Sequence, residues 1–254
     1  MCIIIYKPVG VKLPSKHILQ NCLINNPDGF GYCYPVNNKI HIIKLGLINS
    51  AKSILKSIRL NIDNTLDMPI IFHSRIATSG LIDKKACHPY PITDKDDLLR
   101  QADIYCNMSC CHNGVLNNGS KVLNDSQLFI KDILSNFTFD DMNKPHIKTL
   151  LETYISGSKL AIMNNDSNVL LLGNNWIIEN DLYYSNSSYK QENYMNYFKS
   201  CKPVKQDYKY DKTYAYKSCD LCGLTGLLNK TSLGDYCNNC LEEHFSYPVI
   251  EDYI

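Results

Sequence analysis

The sequence predicts an α+β domain followed by a small C-terminal cysteine-rich module, on three observations. From Met1 to about Asn186, short β-branched and aromatic runs alternate with Asn, Asp, Gly and Pro breaks and with a few helical stretches. With 254 residues, 44% of them apolar and 20% charged, the chain can bury one large core, which excludes a disordered or fibrous protein. Near the C-terminus, four of the twelve cysteines fall into two CxxC pairs.

Each element has a local reason. The predicted strands are Ile3–Tyr6, Gly31–Tyr34, Lys39–Lys44, Pro69–Ile76, Ile104–Cys111, Lys159–Asn164, Val169–Leu172 and Leu182–Tyr184, all short runs bounded by turn residues. The predicted helices are Ser50–Leu60, Asn124–Asn136 and Lys144–Ser156. In the second of these Asn124 is the expected cap, with Asp125 and Ser126 in the first turn. From residue 187 to 217 the chain becomes dense in Tyr and Lys without a period, and this stretch reads as a linker. Lys interleaved with aromatics also suits single-stranded nucleic acid, the less favoured partner.

Residues 218–254 form the expected zinc module. Cys219 and Cys222 precede Cys237 and Cys240 by a fourteen-residue spacer, and two thiolate pairs at this spacing close a tetrahedral Zn²⁺ site. Four thiols leave no open position for substrate, so the metal is expected to be structural and to supply much of the module's folding energy. His244 is expected to be an exposed helix residue rather than a ligand. Cys22, Cys33, Cys87, Cys106, Cys110, Cys111 and Cys201 are read as small core-filling thiols.

Charge and targeting signals narrow the function. Net charge is +1, so no global field draws the chain to phosphate or anionic lipid. No run of about 18 uncharged apolar residues exists, so no spanning helix and no membrane partner is expected. The opening MCIIIYKPVG has no basic region before its five-residue apolar stretch and no cleavage site after it, so a cytoplasmic, reducing location is expected. Three arginines against 23 lysines, with many Asn, Ile and Tyr, suit an AT-rich coding genome, and a phage-encoded chain would work in the host cytoplasm.

Cys2 is small enough for removal of Met1, and the mature chain then begins with a thiol beside a free α-amine. That amine, of ordinary pKa about 8, can act as base for its own side chain. Three segments join it: NPDGFG at 26–31, HSRIATSG at 73–80 and CHNG at 111–114. Together with CHPY at 87–90, NDSQ at 124–127, and the later SKLAIMNND, LLLGNNW and LYYSNSSY, they resemble the glutaminase domain of class II glutamine amidotransferases, members of the N-terminal nucleophile hydrolases. The resemblance covers about residues 2–186, and order and spacing agree across separated motifs.

The resemblance implies a four-layer αββα sandwich of two facing antiparallel sheets, and it implies roles. Cys2 would attack the side-chain amide of glutamine or a γ-glutamyl amide, with Asn113 and Gly114 donating to the oxyanion. Arg75 and Asp125 would hold the substrate's α-carboxylate and α-ammonium. Thr78 and Ser79 would lend hydroxyls near the carboxylate, and His88 would line the pocket. Residues after 186 are too few for a synthetase domain, so ammonia would pass to a separate partner protein docked through the zinc finger, or the amide would simply be hydrolysed.

The departures from the family pattern are Ile3 in place of glycine, Asn25-Asn26 in place of an arginine, and Ile76 and Ser79 where many members carry Trp and His. They bear on substrate and turnover more than on fold. Singly, each residue has a plainer reading: Arg75 in a buried ion pair, Asp125 as a helix-start charge, Asn113-Gly114 as a hairpin turn. A non-catalytic scaffold that binds protein or nucleic acid through its zinc finger is the alternative from another class.

Overall fold

The computed structural model describes residues 2–77, 83–116, 123–190, 229–231 and 234–236. Among these, the strands and helices run in chain order as follows. β1 (Ile3–Lys7), α1 (Lys16–Asn25), β2 (Gly29–Val36), β3 (Lys39–Gly46), α2 (Ala51–Asn61) and β4 (Ile70–Arg75) come first. Then come β5 (Tyr90–Pro91), α3 (Asp96–Leu99), β6 (Asp103–Cys106), β7 (Met108–Asn113) and α4 (Asp125–Asp132). α5 (Phe139–Asn143), α6 (Pro145–Tyr154), β8 (Lys159–Asn164), β9 (Val169–Leu172), β10 (Ile177–Glu179) and β11 (Leu182–Tyr184) complete the first unit, Met1–Tyr194. The protein is thus a mixed α/β chain whose sheets are antiparallel.

One sheet has the order β10-β11-β1-β4-β2-β3-β6 and the other β5-β7-β8-β9. Three buried clusters organise them. Ile3, Ile5, Phe30 and Phe72 of the first sheet pack with Leu19, Ile54 and Ile58 of α1 and α2. Cys110, Leu160 and Leu172 of the second pack with Phe129, Met142 and Leu151 of α4, α5 and α6. The third takes Ile4, Cys33, Ile42 and Ile71 from the first sheet and Cys111, Ala161 and Met163 from the second. Alternation along a strand therefore sends Ile3 and Ile5 toward the helices and Ile4 toward the other sheet. Ile3 is fully buried against α1 and α2.

The run Ile104–Cys111, expected as one strand, is two. β6 pairs with β3 in the first sheet, whereas β7 pairs with β8 in the second. The chain changes sheet at Asn107, whose carbonyl accepts from Asn165 N–H and whose Oδ1 accepts from Lys39 Nζ. Helix α1 was not expected; its Ser15 cap accepts from Ile18 N–H, and tertiary bonds from Gln20, Asn21 and Asn25 compensate for weak intrinsic propensity. The predicted helix over Asn124–Asn136 is α4 plus a 3-10 turn at Leu134–Asn136, and its start is a capping box between Asn124 and Gln127.

Ser187–Lys190, read as the first residues of the linker, belong to the first unit: Tyr189 stacks on Tyr184 at 3.8 Å, and Asn25 Nδ2 donates to Ser188 O. The second unit, Met195–Ile254, contributes a hairpin of β12 (Asn229–Thr231) and β13 (Gly234–Tyr236). No helix of the described residues is long and apolar enough to cross a membrane.

Candidate active site

Cys2 immediately precedes β1, and alternation puts its side chain on the Ile4 face, toward the second sheet. Ile3 pairs with Ser74, so Cys2 lies level with the end of β4. There its Sγ accepts from Ile76 N–H and donates to Ile76 O, both at 3.4 Å. Burial pushes the Cys2 thiol up, while the Ile76 N–H and the Arg75 charge pull it down.

Arg75 ends β4 on the same face and is 6% exposed. Asp28 fixes this strand end twice, donating its N–H to Arg75 O at 2.9 Å and accepting Ala77 N–H on Oδ2 at 2.7 Å. The NPDGFG turn therefore holds the segment that carries Arg75, a role the sequence showed only as a turn. Gly31 in the same segment is small because a Cβ there would overlap the carbonyl of His88.

Asn113 ends β7 and Gly114 follows it. Asn113 Nδ2 donates to Ser185 Oγ at 2.8 Å, and that oxygen also receives Ile4 N–H at 2.8 Å, so one hydroxyl joins Asn113 to the strand that follows Cys2. Asn186 Nδ2 donates to Cys2 O at 2.6 Å. A Cβ on Gly114 would overlap the Ser158 side chain. Gly114→Ala is thus expected to destabilise the chain by roughly 1–3 kcal/mol in urea unfolding, with partial recovery when Ser158→Gly is added.

Asp125, the first residue of α4, accepts Leu116 N–H on Oδ2 and Ser126 N–H on Oδ1, both at 2.8 Å. It thereby holds the chain just past Asn113-Gly114, and a carboxylate bound this way still has acceptor capacity.

His88 is buried, with its ring 4.3 Å from His73 and 4.4 Å from Tyr90. His73 Nε2 bonds the carbonyl of His112, and His112 Nδ1 bonds Ser126 Oγ at 2.7 Å. Four ring nitrogens of this trio have no partner among the described residues: Nδ1 of His73, both of His88, and Nε2 of His112. Burial pulls His73 down to about 3 and His112 to about 4, and His88 falls well below the ordinary histidine value for the same reason.

Cys2, Arg75, Asn113 and Gly114 are thus brought to one end of the two sheets, with Asp125 bonded to the chain at Leu116, just past Gly114. Thr78 and Ser79 lie outside the described residues, as do Cys219, Cys222, Cys237, Cys240 and His244. Among the described residues, no group of three or more His, Cys, Asp or Glu is arranged to hold a metal. Asp28, His73, His112, Ser185 and Asn186 were not singled out from sequence as parts of the site, because their partners are distant in the chain. Compared with known proteins, the chain matches no protein-family model and no curated protein.

Proposed function

We propose that the chain is a glutamine amidotransferase-type amidohydrolase of the N-terminal nucleophile hydrolase superfamily, acting on glutamine or a γ-glutamyl amide. The observation that carries this reading is the meeting of Cys2, Arg75 and Asn113, from three separate segments, at one end of the paired sheets. The three core clusters, which join helices to sheet, sheet to sheet and sheet to helices, support the four-layer αββα arrangement.

After Met1 is removed, the α-amine takes the Cys2 proton and the thiolate attacks the amide carbon. The oxyanion is held by the Asn113 amide and Gly114 N–H. The C–N bond breaks, the α-ammonium returns the proton to the leaving ammonia, and a glutamyl thioester remains. Water then cleaves the thioester to glutamate and regenerates the thiol. Arg75 binds the substrate's α-carboxylate and Asp125 its α-ammonium, with Thr78, Ser79 and His88 around them. Ammonia is released or passed to a separate cytoplasmic partner. Cys219, Cys222, Cys237 and Cys240 would hold a structural Zn²⁺; the β12–β13 hairpin between the two pairs suits that reading.

A second reading, a non-catalytic scaffold contacting protein or nucleic acid through its zinc finger, draws on one observation: both Asp125 oxygens already accept backbone N–H groups. Native intact mass separates the two. The catalytic reading expects a chain without Met1, one zinc, and a single adduct with the diazoketone analogue of glutamine that Cys2→Ala abolishes. Retained Met1, or no adduct, leaves the scaffold.

A further inference from the structure

We propose that Ser185 is a positioning residue that sets the Asn113 carboxamide as an oxyanion donor, tying it to the strand that carries the nucleophile. The proposal rests on the amidohydrolase reading and adds to it the group that orients the oxyanion site.

Ser185 Oγ lies 2.8 Å from both Ile4 N and Asn113 Nδ2. If both nitrogens donate, the hydroxyl proton has no acceptor among the described residues, and Asn113 Oδ1 is likewise buried without a partner. Two unmet groups at one contact are costly. A half-turn of the carboxamide about Cβ–Cγ exchanges its oxygen and nitrogen and satisfies both: Ser185 Oγ–H donates to Oδ1, while Oγ still accepts Ile4 N–H. The amide nitrogen then takes the buried position that Oδ1 now holds, away from Ser185, and its N–H groups are the donors this proposal assigns to the developing negative charge.

The backbone supports this lock. Ser185 N–H donates to Ile4 O at 2.9 Å, so Ser185 is held to Ile4 through both backbone and side chain. The next residue, Asn186, donates to Cys2 O at 2.6 Å, and its Oδ1 is occupied by Ser188 N–H at 3.0 Å and Ser188 Oγ at 2.7 Å. Two consecutive residues thus fix the carbonyl of the nucleophile and the amide opposite it. Without the Ser185 hydroxyl the carboxamide loses the partner that distinguishes its two orientations, and part of the population presents oxygen to the oxyanion.

Steady-state hydrolysis of glutamine by the full chain tests this. Ser185→Ala is expected to lower kcat by about 10- to 100-fold, less than the roughly 10²- to 10³-fold of losing an oxyanion donor outright, with KM changed by less than about threefold. Ser185→Thr, which keeps the hydroxyl, should restore most of the rate. In an Asn113→Ala background, Ser185→Ala should cost nothing further, because the group it orients is gone. Labelling of Cys2 by the diazoketone analogue, which reports pocket and nucleophile, should still reach one adduct per chain in Ser185→Ala. Wild-type turnover matched by Ser185→Ala, or a loss that Ser185→Thr does not restore and that follows the melting temperature, overturns the positioning role alone. A wild-type chain with neither adduct nor turnover overturns the amidohydrolase reading and this proposal with it.

Discussion

Between pH 7 and pH 5 the folded chain is expected to lose roughly 4–6 kcal/mol of stability, through three histidines that the native state keeps neutral. His73, His88 and His112 are buried beside one another, and each is pulled down first by burial. Lys44 and Arg75 add repulsion at His88, while Asp125 opposes the shift at His112. Depressed basic groups mean that the unfolded chain binds protons the native chain refuses. Stability is therefore complete above the unfolded histidine value near 6.5 and falls as pH drops toward the folded values of about 3 and 4. Each histidine costs about 1.4 kcal/mol per pH unit inside that window. Urea midpoints measured from pH 7.5 to 5 check it. His88→Phe, which keeps an aromatic ring against Tyr90, should remove about one proton from the slope. A wild-type slope below one proton across the window would sink the account.

Arg75→Ala is expected to reduce kcat/KM for glutamine by roughly 30- to 1000-fold, the equivalent of about 2–4 kcal/mol for a charge-assisted, forked contact with the α-carboxylate. On the proposed reading that carboxylate would be bound equally before and during the chemistry, so the loss should fall mainly on KM. Arg75→Lys keeps the charge but not the fork and should recover only part of it. Arg75 is also 6% exposed at a strand end pinned by Asp28, so the melting temperature must be followed in parallel. An Arg75→Ala chain that melts lower but keeps its KM would make Arg75 a structural ion-pair residue and remove the main support for an amino-acid substrate.

What was legible in the sequence was what short-range chemistry specifies. β8, β9 and β11 begin and end at the expected residues, because turn residues bound each run. The Asn124 cap is present because a cap and its N3 partner lie three residues apart. Cys2, Arg75, Asn113, Gly114 and Asp125 could be proposed together as one site because each sits in a distinctive local motif.

The rest was decided only by tertiary structure. The break of Ile104–Cys111 at Asn107 follows from which sheet each half joins, and no glycine or proline marks it. Helix α1 is held by Gln20, Asn21 and Asn25 reaching to segments far along the chain. Ser185 meets Asn113 across 72 residues, and Asn186 meets Cys2 across 184. His88 lies buried among His73, His112 and Tyr90, a position set by the approach of β2, β4 and β7 around it. Local pattern specifies which residues form strands, helices and motifs. Which side chains then become hydrogen-bond partners depends on the pairing of strands distant in sequence, and the free energy of satisfying buried polar groups is set only once those strands are in place.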